Sequence, residues 1–191
     1  MYGLSGKLHR TLTSERVVRW SRRSLVTLAT LHALGFGPSA AQSPGCTVQP
    51  APTPPPRQVL RCADGLAIEA EARSDYTLRA RSTTGIPHEA VLRSGALLVN
   101  APAQASGRRF QILTPQAVAA VRGTQWAVDV GGGKTAVFVV DGQVSVRRPT
   151  GRRAVTLGPG EGVDVAADAA PLAVRRWSPQ RAAALLARFG R

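Results

Sequence analysis

Gln125-Trp126-Ala127-Val128-Asp129-Val130-Gly131-Gly132-Gly133-Lys134-Thr135-Ala136-Val137-Phe138-Val139-Val140-Asp141-Gly142-Gln143-Val144-Ser145-Val146-Arg147 is the stretch that settles the fold class. It reads as three strand-length runs, residues 125–130, 135–140 and 143–147, separated by glycine-bearing breaks. Valine-rich runs this short and this closely spaced suit strands and leave no room for helices. Gly131-Gly132-Gly133 supplies the positive φ of a tight connection, because glycine carries no Cβ to clash there. Asp141-Gly142 is a hairpin signal of the kind that joins adjacent antiparallel strands.

The same pattern extends in both directions. Leu66, Ile68, Ala70 and Ala72 alternate with Ala67, Glu69 and Glu71, and Tyr76, Leu78 and Ala80 alternate with Thr77, Arg79 and Arg81. A period of two predicts strands with one buried and one wet face. Residues 90–93, 96–100, 109–113, 118–122, 154–157 and 162–166 are further candidates, and Gly158-Pro159-Gly160 punctuates the last pair. The expectation is an all-β domain whose short antiparallel strands form a β-sandwich or a β-solenoid-like stack. Gly95-Ala96-Leu97-Leu98-Val99, Gly142-Gln143-Val144-Ser145-Val146 and Gly160-Glu161-Gly162-Val163-Asp164-Val165 echo one another, as successive similar hairpins would.

One short helix is expected at the C-terminal end. Ser178 suits an N-cap, Pro179 the first helical position and Gly190 the stop. Ala182, Leu185, Leu186 and Phe189 form one apolar stripe, and Arg188 and Arg191 sit at the negative end of the helix dipole. Such a helix either closes one end of the sheet or docks in a partner's groove.

Residues 1–41 read as a cleaved export signal. Arg16, Arg19, Arg22 and Arg23 precede a mildly apolar stretch of residues 25–36, and Ser39-Ala40-Ala41 places cleavage after Ala41. The stretch is too short and too polar to span a bilayer stably, so no stable membrane insertion is expected after cleavage. Ser21-Arg22-Arg23-Ser24-Leu25-Val26 also matches the start of a twin-arginine signal, so two export routes fit. The expected location is the periplasm. Beyond the signal, residues 42–57 read as a Pro-rich strap, 58–170 as the β domain and 171–191 as a helical tail.

Export puts Cys46 and Cys62 where thiols oxidise, and two cysteines within one chain have only each other. A Cys46–Cys62 disulfide would tether the strap Pro50-Ala51-Pro52-Thr53-Pro54-Pro55-Pro56 to the first strand of the domain. The strap itself cannot enter a sheet interior.

The full chain of 191 residues carries a formal net charge of +14. The export segment holds +5 of that, which leaves +9, and every mature cation except Lys134 is arginine. The charges are either spread over solvated loops or gathered into a surface for an acidic partner. Nucleic acid is not an expected partner of an exported protein. Arginine pairs stand at Arg108-Arg109, Arg147-Arg148, Arg152-Arg153 and Arg175-Arg176, each expected to flank a turn. A projecting hairpin at Pro149-Thr150-Gly151 would gather Arg147, Arg148, Arg152 and Arg153 as a contact for a partner or polyanion.

Catalytic chemistry is not expected. His88 is the one histidine outside the export segment, placed in a loop between Pro87 and Glu89, with no nucleophile elbow to serve. Asp129, Asp141, Glu161 and Asp164 read mostly as solvated turn acids. Gly131-Gly132-Gly133-Lys134-Thr135 lacks the spacing of a phosphate loop. No metal site and no cofactor is expected.

The run Thr114-Pro115-Gln116-Ala117-Val118-Ala119-Ala120-Val121-Arg122-Gly123-Thr124 resembles the T-P-x-x-x-A-x-V-R-G-T signature of the FecR domain family. The strand, turn and closing Gly160-Glu161-Gly162 that follow extend the resemblance over roughly residues 90–165. FecR-like proteins relay an outer-membrane receptor's signal to a cytoplasmic sigma factor, through a cytoplasmic segment, a membrane helix and a receptor-facing domain. This chain departs from that plan, with an export signal at one end and only a short helix after the FecR region. The resemblance therefore implies a non-enzymatic periplasmic protein-interaction or sensory module in envelope signalling, with a membrane sensor or receptor as partner. The alternative is a binding module for an anionic glycan or lipopolysaccharide. Within the signature, Gly123 allows a sharp turn, Thr124 bonds to turn backbone, and Arg122 is a fork of donors for an acid such as Asp129 or Glu161. Thr114, Pro115, Arg122, Gly123 and Thr124 read first as structural and second as a contact for a ligand or partner.

Overall fold

The structure, a computed structural model, describes residues 45–80, 84–103, 109–121 and 123–191. The expected export signal, Arg108 and the signature Arg122 lie outside the described residues. Strands form wherever the period-two pattern runs: β1 (Cys46–Pro50), β2 (Arg57–Cys62), β3 (Ala67–Glu71), β4 (Asp75–Ala80), β5 (Pro87–Ala101), β6 (Phe110–Leu113), β7 (Val118–Val121), β8 (Thr124–Gly131), β9 (Lys134–Asp141), β10 (Val144–Arg147), β11 (Ala154–Leu157), β12 (Glu161–Ala166) and β13 (Arg175–Arg176). One helix, α1 (Pro179–Ala187), follows.

Two expected strands, 90–93 and 96–100, are one strand, β5, of 15 residues. Ser94-Gly95 bends it without ending it. Gly95 has φ +82°, and a Cβ there would meet Ser74 Cα at 2.8 Å. Ser74 fills the space instead, its hydroxyl donating to Ala96 O and accepting from Ala96 N, each at 3.1 Å. The strand thus belongs to two halves of one curled sheet. Its first part pairs with β4 (antiparallel) and β6 (parallel), and its second part pairs antiparallel with β3 and β8. One half runs β1-β2-β3-β5-β8-β9-β12-β13, and the other runs β4-β5-β6-β7-β10-β11.

From β6 onward, consecutive hairpins lie in opposite halves. The β8–β9 hairpin turns at Gly132-Gly133, as expected, with both residues at positive φ. Asp141-Gly142 does not close a hairpin: β9 pairs with β8 and β12, whereas β10 pairs with β7 and β11. The dipeptide is a corner where the chain crosses from one half to the other. The three echoed glycines mark such corners, with φ +82° at Gly95, +82° at Gly142 and +77° at Gly160. Hairpin tip and corner both call for a residue at positive φ, so glycine serves each.

The two halves share one apolar core. Leu97, Val99, Trp126, Val128, Val137, Val139, Val163 and Val165 meet Leu92, Ile112, Val144, Val146 and Leu157 in it. Trp126 is completely buried there. The opposite face of β5, β8 and β9 is also covered, which explains the unbroken apolar run of β9. Ala96, Leu98, Ala127, Ala136 and Phe138 pack beneath Trp177, Leu185 and Phe189. The helix therefore lies on the outer face of the sheet, not at its end. Its capping follows expectation, with Ser178 Oγ accepting from Arg181 N at 3.3 Å and Gly190 at φ +72°.

At the other end of the domain the strap begins later than expected, because residues 46–50 already form edge strand β1, paired with β2 from Cys46↔Cys62 to Pro50↔Gln58. Cys46 and Cys62 are joined by a disulfide at that first register position. Closing a loop of this size stabilises a domain by about 3 kcal/mol. A variant carrying Cys46→Ser and Cys62→Ser is expected to lose roughly that amount in urea unfolding. Its β1 amides should exchange before any others, and an unchanged midpoint would remove the staple from the account.

Candidate interaction surface

The expected arginine cluster at the β10–β11 turn divides into two bound and two free residues. Arg147 Nη1 donates to Arg148 O and Pro149 O, both at 3.1 Å. Arg148 reaches the loop after β12, donating to Ala166 O at 2.6 Å, Ala170 O at 2.7 Å and Asp168 Oδ1 at 3.2 Å. These two are occupied with backbone. Arg152 and Arg153 are exposed and have no hydrogen-bond or ion-pair partner among the described residues. The expectation of four arginines at one tip is therefore corrected to two, beside a groove of about 510 Å³ between β11 and residues 169–172. Arg175-Arg176 does not flank a turn but forms the short strand β13 against β12.

The signature residues sit inside the fold's joints. Thr114 Oγ1 accepts from Ala117 N at 2.9 Å and lies 2.8 Å from Thr135 Oγ1, which donates to Gln116 Oε1 at 2.9 Å. This local turn, with Pro115 within it, ties the β6–β7 connection to β9. Gly123, at φ +65°, begins the crossing from β7 to β8, and a Cβ on it would meet Ala103 Cβ at 2.9 Å. Thr124 Oγ1 donates to Gln143 O at 2.9 Å and accepts from Gln143 N at 3.3 Å, locking that crossing to the Gly142 corner. Of the acids expected to serve Arg122, itself outside the described residues, Asp129 pairs with Arg188 at 3.0 Å, and Glu161 Oε2 accepts from Gly158 N at 2.8 Å. Thr124→Val would leave both Gln143 groups unmatched, and it is expected to cost about 1–3 kcal/mol in thermal unfolding. Thr124→Ser should recover most of that loss.

The helix is fastened by charges from distant parts of the chain. Arg188 holds Glu71 with two bonds, at 2.8 and 2.5 Å, and Asp129 with a third contact. The hydrogen bond to Glu71, ahead of the attraction of Asp129, keeps its guanidinium more firmly protonated than an ordinary arginine. Arg191 pairs with Glu69, which also receives Arg57 Nε at 2.7 Å. Arg57 in turn donates to Thr53 O and Pro55 O, so the strap and the C-terminal end share one network. Arg181 stacks 3.6 Å above the Trp177 ring, which stacks on Phe138, and it also reaches Asp164 at 2.5 Å. Sequence reasoning missed this network, since its ion pairs, from 12 to 122 positions apart, share no spacing to read.

Other candidates are less suited to chemistry. His88 lies in β5 and not in a loop, and its Nδ1 is buried without a partner among the described residues. The neighbouring buried Glu89 is taken up by Arg79 at 2.9 Å and Gln111 at 2.6 Å. Beneath the strap, a groove of about 770 Å³ is lined by Pro52, Pro54, Arg57, Arg73 and Tyr76. Burial pushes the Tyr76 phenol pKa up. Among the described residues, no group of three His, Cys, Asp or Glu could hold a metal ion, and no helix is long and apolar enough to cross a membrane.

Comparison with known proteins adds family and fold. The family model described as FecR protein matches residues 53–145, from the strap to the middle of β10. It starts earlier than the expected 90–165 and stops before the Gly160-Glu161-Gly162 corner. A search of curated proteins finds no match. Two crystal structures of a proposed anti-sigma factor from Parabacteroides distasonis ATCC 8503 are similar in fold. One shares 21% identity, covering 68% of this chain and 60% of that chain, with a TM-score of 0.54. The other shares 20% identity, covering 74% and 64%, with a TM-score of 0.55. This chain spans about three fifths of the length of those chains.

Proposed function

Because the chain contains a FecR domain, we propose that it is a non-enzymatic protein-interaction module in cell-envelope signal transduction, exported to the periplasm and acting on a membrane-bound sensor or receptor. The observation that carries this reading is the family match over residues 53–145, which takes in β2 to β9 and so strands of both halves of the core. A domain whose described signature residues, Thr114, Pro115, Gly123 and Thr124, are spent on corners and turns offers partners its outer surface. The free arginines beside β11 and the helix-covered face are the surfaces available. Charge at such a surface speeds encounter and selects an acidic partner.

In-cell cross-linking of a C-terminally tagged chain tests the reading. Reproducible capture of one membrane-embedded envelope protein, with the chain recovered in the periplasmic fraction, is expected. Recovery of the chain in the cytoplasm, or cross-linked only to lipopolysaccharide or glycan, would overturn it. The second outcome would favour a polyanion-binding role for Arg152 and Arg153.

A further inference from the structure

We propose that β11 is a docking edge, where an extended acidic segment of the partner protein adds to the sheet as one more strand. The inference rests on the signalling reading above and names the surface and the chemistry of the partner.

A sheet edge carries unpaired backbone N–H and C=O groups, and proteins ordinarily blunt such edges. Three of the four edges here are blunted. β1 ends in Pro50, runs into the proline strap and is pinned by the disulfide. β13 is only two residues long. β4 breaks register at both ends, and its Asp75 and Arg79 are paired with Arg93 and Glu89.

The β11 edge has none of these devices. All four of its residues are in register with β10, and it contains no proline and no charged residue. In an antiparallel pair, alternate residues of an edge strand turn their backbone groups away from the neighbour. Among the described residues no strand takes up those groups: β11 pairs with β10 alone. The segment 169–172 runs beside β11 without a backbone hydrogen bond to it. Arg148 anchors it by donating to Ala166 O, Ala170 O and Asp168. The resulting groove of about 510 Å³ is lined by Arg152, Arg153, Val155, Pro171 and Leu172 among others.

Charge decides the occupant. Arg152 and Arg153 stand at the entry to β11, exposed and without a partner among the described residues, and Asp168 is committed to Arg148. An extended segment with acidic residues on its solvent side would satisfy both arginines while its backbone pairs with β11. Its apolar residues would then meet Val155 and Leu172, which pack partly on the main core. Main-chain bonds supply affinity in this mode and alternate side chains supply specificity.

The test uses the full chain and two synthetic ten-residue peptides of alternating glutamate and valine, one of them methylated at every backbone nitrogen. The unmodified peptide is expected to bind and to protect alternate amides of β11 from hydrogen exchange. The methylated peptide, which keeps its charge but cannot donate, should bind at least about tenfold more weakly. Arg152→Glu with Arg153→Glu should weaken the unmodified peptide by a similar factor, about tenfold. Equal binding of the two peptides, or dextran sulfate competing as strongly as peptide without β11 protection, would overturn the proposal in favour of charge alone. Failure of both peptides to bind, with in-cell capture of an envelope protein intact, would sink the edge and leave the signalling reading standing. Peptide binding without any captured envelope protein would do the reverse.

Discussion

Gly142→Val is expected to remove most of the domain's stability. Gly142 sits at φ +82° where the chain crosses from β9 to β10, and a Cβ there would strike the Gly123 carbonyl oxygen and come within 3.0 Å of Thr124 Cα. Neither atom is free to retreat. Gly123 is itself pressed against Ala103, and Thr124 is bonded to both backbone groups of Gln143. A side chain in the left-handed region costs about 1–2 kcal/mol. Overpacking against fixed neighbours adds about 1–3 kcal/mol. Together these come to about 2–5 kcal/mol, which at its upper end matches the whole stability of a domain at the low end of the usual range of about 5–15 kcal/mol. Urea unfolding should show a midpoint lowered by more than half, or no soluble protein. Gly132→Val is the control: its φ is +58° but nothing lies within 4 Å of the added Cβ, so it carries only the backbone penalty. Equal losses in the two variants would mean that the corner is not rigid.

Phe189→Ala is expected to release the helix while leaving the sheet folded. Phe189 is fully buried over the outer face, with Leu185, Leu98 and Ala127 in the same cluster. Truncating a buried phenylalanine costs about 3–5 kcal/mol. A helix of nine residues has little stability of its own, so it cannot remain formed once its apolar face loses its grip. Trypsin should then cut at Arg181 and Arg188 about tenfold faster or more, because local opening and not global unfolding sets the rate. Trp177 emission should shift to the red as its ring leaves Phe138. Arg188→Ala should have a smaller effect, about 1 kcal/mol or less, because a half-exposed ion pair is weakened by solvent. A Phe189→Ala chain that resists trypsin as well as its parent would show that the ion pairs, and not the apolar stripe, hold the helix down.

Much of the architecture was legible in local pattern. The period of two located the strands, Gly131-Gly132-Gly133 located a hairpin, and Ser178, Pro179 and Gly190 located the helix. What could not be read was which strand pairs with which. Asp141-Gly142 looks like a hairpin because hairpin tips and corners both favour glycine at positive φ. Only the packing of Trp126, Val144 and Leu157 into one core decides that β9 and β10 part company. Likewise, nothing local says that both faces of β9 are covered, since the covering residues Trp177, Leu185 and Phe189 lie far downstream of it. Charge was read least well. Adjacent arginines look equivalent in sequence, yet Arg147 and Arg148 fold back on carbonyls while Arg152 and Arg153 have no partner among the described residues. A guanidinium reaches far enough that its partner depends on the tertiary fold.

The alternation of hairpins between the two halves has a kinetic consequence. Neither half can bury its apolar face until the other has formed, so early local hairpins gain little and the rate-limiting step must join distant strands. Domains dominated by such high contact order fold in about milliseconds to seconds. Strand β5, paired in both halves, is where that nucleus is expected to gather. The Arg188–Glu71 pair, 117 positions apart, closes after it. Arg188→Ala should therefore accelerate unfolding in stopped-flow experiments and leave the folding limb almost unchanged.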